Sequence, residues 1–140
     1  MGQQQLLLIV LGVIVVGIAV VVGISLFNAN AETSTQDSLV SQGTNLGAMA
    51  QQYYKKPVAM GGGGNCFSTT NGGQGFTAFF NNLPQALRLS SDADWTQTMP
   101  AVSDTTVILP AVPIDEGYTW TVETTVTPTT IFSHIVTPGS

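Results

Sequence analysis

The stretch that decides the fold is Leu6–Phe27, LLLIVLGVIVVGIAVVVGISLF, in which no residue is charged. Of its 22 residues, 18 are hydrophobic, and the others are three glycines and one serine. A helix rises about 1.5 Å per residue, so this stretch extends roughly 33 Å, close to the roughly 30 Å of a bilayer's hydrocarbon core. The stretch, called the apolar span below, therefore predicts a helix able to cross a membrane. Its flanks carry no basic residue, so the positive-inside rule gives no orientation.

Helical periodicity continues beyond the span, but with only one apolar face. Small or apolar residues recur at spacings of four, three, four and three, namely at Leu39, Gly43, Leu46, Ala50 and Tyr53. Lys55 and Lys56 suit a helix C-terminus, and Pro57 disfavours helical geometry at the residue before it. We therefore predict one long helix over residues 1–54, apolar at 1–27 and amphipathic at 28–54.

Residues 55–140 are predicted to form a β-rich globular head. Runs rich in Thr, Val, Ile and aromatic residues occupy 105–109, 118–127 and 130–136, and prolines such as Pro110 and Pro113 separate them. Alternation places Tyr118, Trp120 and Val122 on one face, which we expect to pack on the amphipathic half of the helix. Residues 76–89 fit either a strand or a short helix. The predicted class is α+β, a long N-terminal helix packed on a small antiparallel head.

Composition excludes several classes of function. The chain of 140 residues has 3 Lys plus Arg, 8 Asp plus Glu and a formal net charge of −5, so it cannot neutralise a run of phosphates and nucleic-acid binding is not expected. One cysteine and one histidine cannot form an internal disulfide or a zinc cluster, and no Cys-x-x-Cys-His haem motif occurs. We therefore expect no catalytic residue, no cofactor and no metal, and a protein that is not an enzyme.

Two processing motifs at the N-terminus are considered and set aside. Asn28–Ala31 ends in an A-x-A pattern, but a secretory signal peptide has a cationic start and a core of 7 to 15 apolar residues, and this chain has neither. Met1-Gly2 suggests myristoylation, yet Leu6 stands where that motif needs Ser or Thr. The segment is therefore interpreted as a retained apolar helix.

The start MGQQQLLLI at residues 1–9, the apolar helix, its amphipathic extension and the β-rich remainder together resemble a mature type IV pilin. The specific part of the resemblance covers about the first 27 residues. In that family a prepilin peptidase removes a short leader, the new N-terminal residue is N-methylated, and the subunits polymerise through a helical core. The resemblance implies that Met1 is the methylated residue, and that the partners are identical subunits, the peptidase and the pilus assembly machinery.

The fifth position departs from the family's pattern, which usually has a glutamate where this chain has Gln5. A glutamate there is thought to pair with a neighbouring subunit's N-terminal ammonium, and Gln5 cannot form that ion pair. Gln3, Gln4 and Gln5 offer amide donors and acceptors for an intersubunit network instead. The alternative is that the three glutamines only mark the polar edge of a membrane helix.

Glycines in the span permit close approach of helices, so Gly12, Gly17 and Gly23 join the glutamines as predicted assembly residues. Elsewhere we favour structural roles. The Gly61–Gly64 run lacks the ending of a phosphate loop and predicts a turn. Cys66 is expected to be buried, with a thiol bridging subunits as the alternative, and His134 to be an exposed or hydrogen-bonded side chain rather than a ligand.

Two acidic pairs, Asp92 with Asp94 and Asp115 with Glu116, are interpreted as turn and cap carboxylates, and a weak calcium site is the alternative.

Two functions remain open. The first is the structural major subunit of an extracellular helical filament of the type IV pilus kind, held in the inner membrane by its single span before assembly and with a possible part in cell adhesion. The second is an exported binding module that the span anchors permanently in the membrane. A minor pilin or a pseudopilin of a secretion system shares these features. The uncharged, Thr-rich surface favours a filament, because subunits that pack side by side benefit from neutral polar faces.

Overall fold

The computed structural model describes residues 2–138. Met1, the predicted site of N-methylation, lies outside the described residues, as do Gly139 and Ser140. The chain divides into two compact units, with the boundary between Ser34 and Thr35.

The first unit is the N-terminal part of helix α1, Gly2–Lys55. The helix passes through all three glycines of the span without a break, and it ends one residue after the predicted position. It is the one helix of residues 2–138 that is long and apolar enough to cross a membrane.

The second unit contains the rest of α1 and the head. After α1 come a single 3-10 turn at Val58–Met60 and two short helices, α2 at Phe76–Asn81 and α3 at Gln85–Arg88. Five strands follow: β1 at Ala93–Asp94, β2 at Ala101–Val102, β3 at Val107–Pro113, β4 at Thr121–Val126 and β5 at Ile131–Val136.

The strands form one antiparallel sheet in which β3, β4 and β5 lie side by side in chain order. The other edge of β3 is shared by the two short strands. β2 pairs with its start, at Val107 and Ile108, and β1 with its end, at Val112 and Pro113. The sheet therefore ends in β5 on one side and in β1 and β2 on the other.

One face of this sheet packs on the amphipathic part of α1. Burial alternates strictly along β3 and β4, as expected for a sheet with one covered face. The core joins four side chains of α1 to both tryptophans, three phenylalanines and the inward residues of the strands. The α1 members are Leu39, Leu46, Ala50 and Tyr53, each at most 2% exposed. The predicted α+β, pilin-like layout is confirmed.

The predicted strand boundaries need one correction. Pro110 and Pro113 were expected to separate strands, but both lie within β3. A proline lacks the N–H that a neighbouring strand would need. Pro110 falls in the gap between β2 and β1, where neither strand pairs with it, so it costs the sheet no hydrogen bond on that edge.

Most of the ambiguous stretch 76–89 is helical, in α2 and α3, and Leu89 at its end is extended and forms a bridge to Asp94. Phe76 and Phe80, one turn apart on α2, are both buried in the aromatic part of the core, next to Tyr53. The predicted face is correct for Val122 of β4 and for Trp120, which directly precedes the strand, and both are buried. Tyr118 precedes the strand and packs its ring against Trp120, with 5.3 Å between centroids.

Candidate assembly surface

The side chains of the apolar span lie on the surface of the first unit. The large hydrophobic residues between Leu6 and Phe27 are 50% to 73% exposed, and none of the most apolar stretch of 18 residues is buried. Removing apolar surface from water is favourable by about 25 cal/mol per Å². This surface therefore requires lipid or protein around it.

The predicted assembly residues lie on this surface. A Cβ atom built on Gly12, Gly17 or Gly23 would meet no atom within 4 Å, so the chain's own packing does not require these glycines. Gln3 and Gln4 line shallow grooves together with leucines of the following turn, and Gln5 is exposed. The contacts that these residues make between subunits stay predictions.

In the second unit, α1 contains two glycines at which a larger residue would not fit. A Cβ on Gly43 would overlap the hydroxyl of Thr124 and come within 3.0 Å of Trp95, and a Cβ on Gly47 would lie 2.8 Å from Ile131. These glycines let α1 approach β4 and β5 closely. The spacing of apolar residues predicted Gly43 on the buried face, but that pattern did not include Gly47.

Two glutamine side chains of α1 form hydrogen bonds with loops of the head. The residue pattern did not predict these hydrogen bonds. The Gln42 carbonyl oxygen accepts hydrogen bonds from Ser90 Oγ at 3.0 Å and Trp95 Nε1 at 3.3 Å, and its amide nitrogen donates to Ser38 Oγ at 3.2 Å. About one turn after Gly47, Gln51 donates to the backbone oxygen of Thr127 at 3.0 Å. The residues that flank β1 and the β4–β5 turn are thereby attached to the helix.

No known protein family, curated protein or solved structure matches this chain.

Asp104 anchors the segment after α1 to the β2–β3 turn. One oxygen of its carboxylate accepts hydrogen bonds from the hydroxyls of Ser68 and Thr70, the latter at 2.8 Å, and from the Cys66 thiol at 3.5 Å. These donors, Ser68 first, hold the pKa of the Asp104 carboxyl below its usual value. Cys66 is 3% exposed, which confirms the prediction that it is buried.

Asp94 and Asp115 accept hydrogen bonds within their own turns, whereas Asp92, also predicted to be a turn carboxylate, accepts one from helix α1. Asp94 accepts from the backbone nitrogen and the hydroxyl of Thr96, at 2.7 and 2.6 Å. Partial burial acts to raise the pKa of Asp94, but the hydrogen bonds from Thr96 and Gln97 outweigh it and lower the pKa. Asp92 accepts from Ser38 at 2.9 Å, and Asp115 accepts from the Gly117 backbone at 2.9 Å.

No group of three or more potential metal-ligating residues occurs within 2–138. His134 of β5 instead lies beside Glu123 of β4, with 3.6 Å between Nε2 and Oε2, on the sheet face opposite α1. The Gly61–Gly64 run forms a turn, and Gly61 and Gly64 have positive φ angles of 82° and 62°.

Proposed function

We propose that this protein is the major subunit of an extracellular, type IV pilus-like helical filament and that it polymerises through the apolar span. The proposal is supported by one observation, namely that the two parts of α1 have different surroundings. One face of its second part is buried in the head's core, whereas the large hydrophobic residues of the span are at least half exposed. A subunit that first rests in a membrane and then packs among copies of itself needs such a helix.

The glycines of the span support packing against protein rather than lipid alone. They are not needed for any contact inside the chain, and each lowers helix stability by about 1 kcal/mol relative to alanine. Close approach of a neighbouring helix offsets that cost, because small residues let two helix backbones come together.

The surface of the head suits side-by-side packing. Only 9 of the 86 residues at 55–140 are charged, against about a quarter in typical soluble domains, so neighbouring heads would bury few unpaired charges. We therefore propose identical subunits as the main partners, a prepilin peptidase and assembly machinery acting in the inner membrane, and a structural rather than enzymatic role.

Two other functions would use the same features. In the first, the span is a permanent anchor and the head is a binding module outside the cell. In the second, the chain is a minor pilin or a pseudopilin of a secretion system. The test is designed to separate polymerisation from anchoring.

The proposed function is tested by changing Gly12→Leu and Gly17→Leu singly in the full chain. Neither change meets another atom of the same chain at the new Cβ, and both raise hydrophobicity and helix propensity. An anchor should tolerate them. In a filament core packed at crystal-like density, the added bulk should cost about 1 to 3 kcal/mol per contact and strongly reduce polymerisation.

The measurement compares sheared extracellular filaments, seen by electron microscopy, with membrane-retained subunits. Gly12→Ala, which adds a single methyl group, is the matched control and should retain more filament than Gly12→Leu. Wild-type cells that retain every subunit in the membrane and release no fibre would show that the anchor function is correct instead.

A further inference from the structure

A row of four residues crosses the sheet on the face opposite α1. The strand registers place Ala101 of β2 next to Ile108 of β3, Ile108 next to Thr125 of β4, and Thr125 next to Phe132 of β5. The neighbours of Ile108 along β3 are buried against the helix side, so this row faces away from the helix. Its two ends lie at the two opposite edges of the sheet.

The β2 end of the row is concave. Residues of the β2–β3 hairpin line a surface pocket of about 170 Å³, namely Ala101, Val102, Ser103, Thr106 and Ile108. None of these residues is charged. A cavity of about 150 Å³ is large enough for benzene, so the pocket has room for a phenyl ring.

The β5 end of the row is convex and apolar. Phe132 is 62% exposed, and its ring stacks on that of His134 with 5.6 Å between centroids. Within residues 2–138, β5 is the last strand of the sheet, and its outer edge pairs with no other strand. Natural edge strands are usually protected by lysine, proline or a bulge, and β5 contains neither lysine nor proline.

The pocket and the ring cannot meet within one chain. Ala101 and Phe132 are three strand spacings apart, or about 14 Å at roughly 4.8 Å per step. They can meet between two copies, because a pocket on one edge and a matching projection on the other give a heterologous contact that repeats along a polymer. The strand directions allow such a contact. β2 and β5 of one chain run in opposite directions, so β5 of one copy would lie antiparallel to β2 of the next copy.

We propose that Phe132 of one copy occupies the β2–β3 hairpin pocket of the next copy, so that the sheets of neighbouring heads lie edge to edge. The occupant is therefore a second copy of this chain. The nearest carboxylate, Asp104, already accepts hydrogen bonds from Ser68, Thr70 and Cys66, so its charge is stabilised locally. The inference rests on the proposed function, because it places the contact between subunits of the filament.

The experiment is disulfide trapping in sheared filaments of the full chain that carries both Phe132→Cys and Ala101→Cys. The distance of about 14 Å excludes a bond within one chain, since bridged residues have Cα atoms about 4.4 to 6.8 Å apart. Mild oxidation should give a ladder of dimers and higher multimers that reduction removes. Each single variant should give no ladder beyond dimers, and these variants also control for the buried native Cys66.

The matched control pairs Ala101→Cys with Ile135→Cys. Ile135 is also exposed on β5, at 42%, but its side chain belongs to the face that α1 covers. We expect little cross-linking from this pair. Filaments of normal appearance in which the Phe132 pair gives no ladder, or gives no more than the control, would overturn the contact and leave the proposed function intact. If the wild-type chain forms no filament, both proposals fail.

A second pair of variants covers the case in which the cysteine chain does not assemble. Phe132→Ser should lower the yield of sheared filament by about tenfold or more, because the contact loses the burial of an aromatic ring. Ile135→Ser, which removes a similar exposed apolar group from the same strand, should lower it far less. Equal yields from the two variants would contradict the inference.

Discussion

Asp104 shows how much structure one exposed side chain can organise. Its carboxylate joins the hydroxyls of Ser68 and Thr70 and the Cys66 thiol, and its backbone oxygen accepts from the Phe67 nitrogen at 3.0 Å. The segment that follows α1 is thus attached to the β2–β3 turn by both the side chain and the main chain. Because the donors bind the ionised form better than the neutral form, they lower the pKa of Asp104.

Stability should therefore depend on pH through Asp104. A carboxyl with a lowered pKa in the folded state adds stability above its unfolded pKa of about 3.9, and the folded protein loses that contribution as pH falls through the folded value. Asp104→Asn should lower the thermal midpoint at about pH 7, and the difference from wild type should shrink towards about pH 3. The measurement is thermal unfolding of the full chain in detergent at both pH values. An equal difference at the two pH values would contradict this explanation.

Among the elements, the contact of α1 with the sheet depends on Gly43 and Gly47. Side chains at these positions would have to displace Thr124 and Ile131, which face the helix from β4 and β5. Thr124 is fully buried, and its hydroxyl shares a hydrogen bond of 2.9 Å with Ser133, so it has little freedom to move. Helix and sheet are therefore matched in shape as well as in hydrophobicity.

Gly43→Ala should lower the free energy of unfolding of the head by about 1 to 3 kcal/mol, because the added methyl group overlaps Thr124 and approaches Trp95. The measurement is denaturant unfolding followed by tryptophan fluorescence, since Trp95 lies at the contact. Gly23→Ala is the control: its Cβ meets nothing within 4 Å, so the head should keep its wild-type stability. Wild-type stability in Gly43→Ala would show that the helix can shift at no cost.

At the scale of the whole molecule, folding of the head and assembly of the proposed filament use separate surfaces. The head's core is complete within the second unit, whereas the span keeps its apolar side chains outside it. A variant in the span should therefore change assembly without unfolding the head. The three glutamines before the span offer the sharpest case, because an amide in an apolar filament core must find a hydrogen-bond partner.

Gln5→Leu should impair filament assembly and leave membrane insertion unchanged, if intersubunit amide hydrogen bonds replace the family's ion pair. The physical reason is that removing Gln5 leaves amide or ammonium partners in neighbouring subunits without their hydrogen bonds. Filament yield is measured after shearing, and the membrane fraction serves as the internal control. Gln5→Glu should assemble at least as well as wild type. Normal filament yield from Gln5→Leu would show that the glutamines only mark the end of the span.

The sequence alone determined the long helix and the α+β class, because these depend on local patterns. Twenty-two residues without a charge specify a span, spacings of three and four specify one buried face, and alternation from Tyr118 to Thr124 indicates a strand with one covered side. Each of these patterns lies within a few turns of helix or a few residues of strand. It can therefore be recognised without knowing which distant residues the segment contacts.

Only the tertiary structure decided which distant residues meet. Asp104 reaches Ser68 across 36 positions, and Gln42 reaches Trp95 across 53. Pro110 can lie inside β3 because two short strands leave a gap at that point. The row from Ala101 to Phe132 exists only because three strand registers bring four separate segments onto one face. These arrangements follow from strand pairing and close packing, which local periodicity does not specify.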